Sequence, residues 1–178
     1  MIFVMDDEFK KPVKAKLFFG MLASDKEKMD FCQDQLSLIF GSLDVVSSVW
    51  DFSHTSYYEK EFGKFLKRRF ISFEKLIDQD DLPKIKRHAI SLEKKLFNDL
   101  DCRTINLDPG YLTAAKVVLA TTKDYTHRLY LGENIYGEVT LQFKSGKPMP
   151  NPWTYPDYQS LEYKDYFIAL RKIYMKEN

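Results

Sequence analysis

The pattern of apolar and polar positions predicts an antiparallel α+β chain that begins with three strands and two helices. Val13–Leu22 is rich in apolar residues, which is typical of a strand buried on both faces. Leu43–Phe52 and Lys64–Phe73 are rich in β-branched and aromatic residues and predict the next two strands. The charged triplet Lys67-Arg68-Arg69 inside the third strand is interpreted as protection of an edge strand, with phosphate binding as the alternative.

Two helices are predicted from apolar residues at helical spacing. The first covers about residues 25–40, because Ser24 and Glu27 form a capping box and Gly41 supplies a stop. The second covers about residues 81–97, where the apolar stripe consists of Leu82, Ile85, Ala89, Leu92 and Leu96. Right-handed crossovers place both helices on the same face of a split βαβ unit, so we predict that they pack together there.

The second half of the chain predicts shorter strands and a final helix. Arg103–Leu107 is expected to end in a type II turn at Asp108-Pro109-Gly110, because proline and glycine suit the two central positions of that turn. The remaining predicted elements are a strand over Val117–Thr122, a hairpin of His127–Leu131 and Ile135–Lys144 around Gly132-Glu133-Asn134, a proline-rich surface loop over residues 145–158, and a helix over about residues 160–175.

These elements together define the predicted architecture. The fold class is α+β, a single-domain and mainly antiparallel sheet with helices packed on one face. The N-terminal elements match the order of a ferredoxin-like unit, and the later strands continue it as an antiparallel extension. Residues 1–11 form a polar N-terminal tail, and residues 12–178 form the single domain.

Composition and charge restrict the classes of function without identifying one. The 178 residues contain 27 Lys+Arg and 26 Asp+Glu, and the net charge of +1 argues against a dedicated nucleic-acid-binding protein. No apolar run approaches the roughly 20 residues of a membrane span, and two cysteines are too few for a disulfide scaffold. We therefore expect a cytoplasmic protein without membrane contact, and the sequence leaves its oligomeric state open.

The sequence lacks the familiar motifs of cofactor and metal sites. It contains no P-loop, no G-x-G-x-x-G dinucleotide fingerprint, no C-x-x-C or H-E-x-x-H spacing and no G-x-S-x-G elbow. No metal ligands are therefore predicted, and the sequence assigns no cofactor.

The densest grouping of polar side chains lies between residues 106 and 138. Pairing across the predicted hairpin puts Arg128 opposite Glu138 and Tyr130 opposite Tyr136. Carboxylate, ammonium, imidazole and guanidinium groups in one short region suit anion binding or proton transfer, while a cross-strand salt bridge with turn residues is the equally weighted structural alternative. The candidate catalytic residues are Asp108, His127 and Glu138, and the candidate ligand-binding residues are Asn106, Lys123, Arg128 and Tyr130.

Several short motifs occur in order along the chain. They are Asn106–Leu112 (NLDPGYL), Val118–Lys123 (VLATTK), His127–Leu131 (HRLYL) and Trp153–Tyr158 (WTYPDY), preceded by Lys14–Ala23 and Thr55–Gly63. With these motifs the chain resembles a prokaryotic domain-of-unknown-function family over roughly residues 12–175. The resemblance implies no activity, cofactor or catalytic assignment. It places the following residues in the signature blocks of the family: Tyr57, Tyr58, Glu59, Glu61, Asn106, Asp108, Tyr111, Lys123, His127, Arg128 and Glu138.

Two hypotheses about function follow from these observations. The first is a binding protein or enzyme for a small anionic ligand, phosphorylated or carboxylated, held by the cationic side chains of the 106–138 grouping with one of its carboxylates as acid/base or metal ligand. The alternative is a protein or nucleic-acid interaction module that uses the aromatic loop over residues 153–158. Trp153, Tyr155 and Tyr158 suit interface anchors, and they equally suit a lid packed on its own domain.

Overall fold

The computed structural model describes residues 11–53, 65–99 and 102–177, which form a central antiparallel sheet with helices on both faces. The strands are β1 (Ala15–Ala23), β2 (Leu43–Val46), β3 (Trp50–Asp51), β4 (Lys67–Ile77), β5 (Asn98–Asp99), β6 (Cys102–Arg103), β7 (Ile105–Leu112), β8 (Lys116–Thr121), β9 (Leu129–Gly132), β10 (Ile135–Lys144) and β11 (Lys147–Pro150). The helices are α1 (Lys26–Phe40), α2 (Leu82–Leu96) and α3 (Leu161–Glu177), with short 3₁₀ turns at Gln79–Asp81 and Pro156–Gln159. The predicted α+β class is confirmed.

The strand order contains the predicted ferredoxin-like unit. The main sheet runs β11-β10-β8-β7-β1-β4-β2, and its neighbouring strands are antiparallel. Strand β3 also pairs with β4, β9 pairs with β10, and β5 and β6 form a separate two-stranded ladder. Because β4 lies between β1 and β2, and β7 lies on the other side of β1, these four strands form a split βαβ unit. Strands β8, β10 and β11 form the antiparallel extension.

Helices α1 and α2 lie on the same face of the sheet, as predicted, whereas α3 lies on the opposite face. The buried stripes of α1 and α2 share one core cluster with Phe19 of β1, while α3 packs against Phe18 and Phe70 in another cluster. The prediction that the helices pack on one face is therefore wrong for α3. The central strands carry apolar side chains on both faces, and the second face also needs a cover. The α3 residues that supply this cover are Tyr163, Tyr166, Phe167, Leu170 and Tyr174.

The structure corrects two predictions for the N-terminal elements and shifts the ends of others, such as β4, which extends to Ile77. Asp25, and not Ser24, is the N-cap of α1, and its side chain accepts a 2.8 Å hydrogen bond from the Glu27 N–H. Gly41, with a φ of 97°, follows the last helical residue as predicted. The strand predicted over Leu43–Phe52 is divided into β2 and β3, which pair separately with β4.

The Asp108-Pro109-Gly110 segment is part of β7, so the type II turn predicted there is wrong. These residues pair with β1, and pairing with β8 begins only at Gly110. A proline is tolerated at position 109 because this part of β7 has one edge without a partner strand. Gly110 serves close packing, since an added Cβ would lie 2.4 Å from the Val118 carbonyl oxygen.

The C-terminal hairpin and the proline-rich segment complete the sheet. Strands β9 and β10 are joined through Glu133 and Asn134, whose φ angles of 54° and 60° fit a type I′ turn. Tyr130 lies opposite Tyr136 as predicted, with ring centroids 5.4 Å apart. The predicted surface loop over residues 145–158 is partly ordered as β11, which pairs with the end of β10.

Candidate functional site

A cavity of about 590 Å³, here called the β7–β8 cavity, lies where β7 and β8 separate. The two strands pair only where Gly110–Leu112 faces Val117–Leu119, and they diverge beyond that point. The cavity wall includes Lys86 of α2 from one face of the sheet and residues 155–158 from the other. Its volume falls within the roughly 300–1,000 Å³ that small-molecule sites occupy.

The lining of the β7–β8 cavity is rich in charged and aromatic side chains. The charged residues are Arg68, Lys86, Arg103, Asp108, Lys123, Arg128, Glu138 and Asp157. The aromatic residues are Phe52, Tyr125, Tyr155 and Tyr158. Five cations and three carboxylates thus line the described wall, a formal excess of two positive charges.

Arg68 extends from β4 across β1 to reach the cavity. Its Nη1 lies 3.2 Å from Asp108 Oδ2, and its Nη2 lies 3.6 Å from Asp157 Oδ2. Gly20 of β1 leaves room for this path, since an added Cβ would lie 3.0 Å from Arg68 Nη1. The side chain is 3% exposed, and its guanidinium lies 5.3 Å from the centre of the Phe52 ring. Burial disfavours the charge, but the neighbouring tyrosine hydroxyls and carboxylates outweigh it and raise the pKa of Arg68.

Asp108 lies at the centre of a polar network between β4, β7 and α2. Asn106 Nδ2 donates a 2.7 Å hydrogen bond to its Oδ2, and Lys86 Nζ lies 3.5 Å from its Oδ1. Burial alone would raise the pKa of Asp108, but Lys86, Arg68 and the Asn106 hydrogen bond bring it below its ordinary value. The carboxylate is therefore ionised at neutral pH and suits accepting hydrogen bonds better than taking up a proton.

Two side chains of α2 occupy the free edge of β7. Glu93 Oε1 accepts a 2.6 Å hydrogen bond from the Leu107 N–H, and Lys86 Nζ donates a 2.8 Å hydrogen bond to the Leu107 carbonyl oxygen. Arg103 Nη1 donates to Glu93 Oε2 at 2.9 Å. Burial raises the pKa of Glu93 against the opposing effects of Lys86, Leu107 and Arg103. These contacts satisfy the Leu107 N–H and carbonyl groups, which would bond to β8 if the two strands paired along their full length.

Arg128 and Glu138 form a buried ion pair at the cavity wall. Arg128 Nε donates to Glu138 Oε2 at 2.8 Å, and each side chain is 2% exposed. Arg128 also donates to the Lys123 carbonyl oxygen at 3.1 Å and to the Tyr155 hydroxyl at 2.9 Å. Burial disfavours the guanidinium charge, but the contacts with Glu138 and Tyr155 raise the pKa of Arg128. The pair is therefore covered by its neighbours, and it is not an exposed cross-strand salt bridge.

His127 contacts this ion pair but is not among the residues of the described cavity lining. Its Nε2 lies 3.1 Å from Glu138 Oε2, and its ring stacks on Trp153 with centroids 5.4 Å apart and 14° between the planes. The Trp153 indole donates a 2.9 Å hydrogen bond to the Val139 carbonyl oxygen. His127 thus links Glu138 to the aromatic segment that follows β11.

The structure brings most of the predicted site residues to one cavity. Those in its lining are Asn106, Asp108, Lys123, Arg128 and Glu138. Tyr130 lies elsewhere, because it is 61% exposed and packs against Tyr136 on the hairpin. The family-block residues Tyr57, Tyr58, Glu59 and Glu61 lie outside the described residues.

The charged cavity residues outside the 106–138 grouping are Arg68, Lys86, Arg103 and Asp157. None of them is among the predicted site residues, and Arg68 is considered there only as part of the Lys67-Arg68-Arg69 triplet. The interpretation of Lys67-Arg68-Arg69 as an edge-strand device is wrong, because this part of β4 pairs with β1 on one side and with β3 on the other. Arg69 is on the opposite face, where it binds Asp30 at 2.6 Å. Strand alternation does separate Arg68 from its two neighbours, and it is the one signal in the sequence that distinguishes this residue.

The three aromatic residues of the 153–158 loop have different environments. Tyr158 is 3% exposed and belongs to the core under α3. Tyr155 is half-exposed with its hydroxyl on Arg128, and Trp153 is partly exposed with its indole bonded to the backbone of β10. The loop therefore packs over its own domain beside the cavity.

No group of three or more His, Cys, Asp and Glu side chains in the described ranges is arranged to hold a metal ion. No helix in this part of the chain has both the length and the apolar character needed to cross a membrane.

Comparison with known proteins identifies the family of the chain. A family model described as Domain of unknown function (DUF4416) matches residues 13–174. The chain belongs to this family. The DUF4416 match spans β1 to α3 and thus every element that lines the cavity. Neither the curated proteins nor the solved structures contain a match to this DUF4416 chain.

Proposed function

We propose that the β7–β8 cavity binds a small ligand that carries a phosphate or carboxylate group. The observation that supports this proposal is the convergence of five cationic side chains, against three carboxylates, on one concave cavity. Three of these cations, Arg68, Lys86 and Arg128, are themselves buried. Buried cations are costly unless partners compensate them, so their concentration at a cavity favours an anionic ligand.

The anionic group of the ligand is held by Arg128 and Lys123. The Arg128 guanidinium has five N–H donors, and its three hydrogen bonds within the protein leave two donors for a ligand. Lys123 is exposed at the rim of the cavity and adds a second positive charge. A planar guanidinium beside a flexible ammonium suits the oxygen atoms of phosphate and carboxylate.

The carboxylates of the cavity orient the ligand in this proposal. The low pKa of Asp108 makes it a weak base, so its geometry supports ligand binding more directly than proton transfer. Glu138 is occupied by Arg128 and His127, and it keeps the guanidinium in place. A binding protein is therefore the form of the first hypothesis that these contacts favour.

The proposal is tested with inorganic phosphate and citrate as probes. We expect each to raise the melting temperature of the protein above that in sodium chloride of equal ionic strength, because a ligand that binds the native state stabilises it. Lys123→Ala should weaken the binding measured by titration calorimetry about tenfold, which corresponds to about 1.4 kcal/mol. The matched control is Lys144→Ala, which removes an exposed lysine outside the cavity lining. Equal binding by both variants, or shifts no larger than those in sodium chloride, would contradict the proposal.

The alternative function, an interaction module built on the 153–158 loop, has less support. Tyr158 is buried, and the polar atoms of Trp153 and Tyr155 are bonded to their own domain. An interface would require these side chains to form one exposed patch. A cytoplasmic location and a prokaryotic source stay predictions from the sequence.

A further inference from the structure

The wall of the β7–β8 cavity around Arg68 contains two buried polar atoms that lack a hydrogen-bond partner. They are Arg68 Nε and the Tyr158 hydroxyl. Both residues are 97% buried or more, and both line the cavity. Buried polar groups in folded proteins are almost always paired, so two unpaired atoms in one cavity wall indicate groups that a ligand completes.

The charges around these two atoms do not suit a second anion. Asp108 and Asp157 flank the Arg68 guanidinium at 3.2 and 3.6 Å and compensate its charge. An anionic group placed here would meet two carboxylates, and like charges at such distances repel. The Arg128 guanidinium is paired with one carboxylate, that of Glu138, and is therefore the better place for the anion.

A hydroxyl group fits the Arg68 wall because it donates and accepts at the same time. Arg68 Nε can only donate, the aspartate oxygens can only accept, and the Tyr158 hydroxyl can do either. Burial raises the pKa of Tyr158 well above its usual range, so its proton stays available as a donor. The Phe52 ring lies 5.3 Å from the same guanidinium and offers an apolar surface to the carbon atoms of a ligand.

We propose that the ligand is a phosphorylated or carboxylated sugar or polyol. Its anionic group lies at Arg128 and Lys123, and a hydroxyl group of the same molecule binds Arg68, Asp157 and Tyr158. This assignment rests on the proposed function and adds to it the chemistry of the uncharged part of the ligand.

The test compares three phosphate esters that differ only in the uncharged or cationic part. Glucose 6-phosphate carries hydroxyl groups, propyl phosphate lacks them, and 2-aminoethyl phosphate replaces them with an ammonium group. We expect glucose 6-phosphate to bind at least tenfold more tightly than propyl phosphate in titration calorimetry, because a site built to bind a hydroxyl discriminates against a ligand without one.

Tyr158→Phe removes only the hydroxyl and should abolish most of this tenfold preference while leaving the binding of propyl phosphate unchanged. Tyr166→Phe is the matched control, since Tyr166 of α3 also has a buried hydroxyl but is not in the described cavity lining. The control should bind all three esters like the unaltered protein.

The outcomes separate the two proposals. Binding of propyl phosphate and glucose 6-phosphate with equal affinity would overturn the hydroxyl assignment and leave the anion site intact. A preference for 2-aminoethyl phosphate would overturn it as well, because the two aspartates would then bind a cation. Binding of none of the three esters would overturn the hydroxyl assignment, and a failure of inorganic phosphate and citrate to bind as well would overturn both proposals.

Discussion

The Arg128–Glu138 pair shows how a cross-strand contact becomes part of a cavity. The residues are ten positions apart, and the hairpin register alone brings them together. Tyr155 then covers the guanidinium and accepts a hydrogen bond from it. With both side chains 2% exposed, the energetics of the pair are those of a buried ion pair.

Replacing either member of this pair should therefore be costly. We expect Arg128→Ala and Glu138→Ala each to lower the free energy of unfolding by about 3–5 kcal/mol, because each leaves the other charge buried without a partner. The double variant should lose much less than the sum of the two, and denaturant melts of all four proteins measure this coupling. Additive losses below about 0.5 kcal/mol each would show that the pair behaves as an exposed one.

The residues of the candidate site were predictable where their contacts are local. Arg128 and Glu138 follow from the hairpin, and Asp108 follows Asn106 by two positions on the same strand. Arg68 could not be found in this way, because its contact with Asp108 spans 40 positions and requires that β1 lie between β4 and β7. The contact also requires a glycine at position 20, because a Cβ there would lie close to the Arg68 guanidinium as it crosses β1.

At the level of elements, β7 shows tertiary packing overriding local turn chemistry. The Asp108-Pro109-Gly110 sequence favours a turn in isolation. In the structure it lies inside β7, and all eight residues of Ile105–Leu112 pair with β1. The regular stripes of α1 and α2, together with right-handed crossovers, were sufficient to predict their common face. The position of α3 on the opposite face of the sheet could not be predicted from its own sequence, because it depends on which face the other two helices leave uncovered.

The glycine of β7 gives a test at this level. We expect Gly110→Ala to lower the free energy of unfolding by about 3 kcal/mol, because the added Cβ would meet the Val118 backbone at 2.4 Å and the Phe18 ring at 2.6 Å. Gly137→Ala is the comparison, since the three atoms nearest to its added Cβ all belong to the Leu131 side chain, which can move. That variant should lose less than about 1 kcal/mol in urea melts. A loss at Gly110 no larger than that at Gly137 would show that β7 and β8 can move apart without cost.

At the level of the whole molecule, Lys16 of β1 joins elements from both ends of the chain. Its ammonium lies 2.8 Å from Asp44 of β2 and 2.7 Å from Glu177 of α3, and it donates to the Glu74 carbonyl oxygen of β4 at 3.2 Å. The Lys16 side chain is completely buried. This cluster therefore fixes the end of α3 to the central strands.

Loss of the Lys16 charge should destabilise the entire fold. We expect Lys16→Met to lower the free energy of unfolding by about 3–5 kcal/mol, because the Asp44 carboxylate keeps its burial and loses its partner. Adding Asp44→Asn should restore part of this loss, and Lys14→Met, at an exposed position two residues earlier, should be neutral in the same urea melts. An equal loss in the single and double variants would show that the effect is not electrostatic.

The separation of β7 from β8 leaves a strand edge inside the molecule, and α2 closes it with Glu93 and Lys86. A strand edge that loses its cover accepts the backbone of another extended chain. Local detachment of α2 would therefore uncover an aggregation site as well as the cavity, and the Leu107 amide would exchange its hydrogen with solvent in the same event. A ligand that bridges α2 and β7 would hold this edge closed.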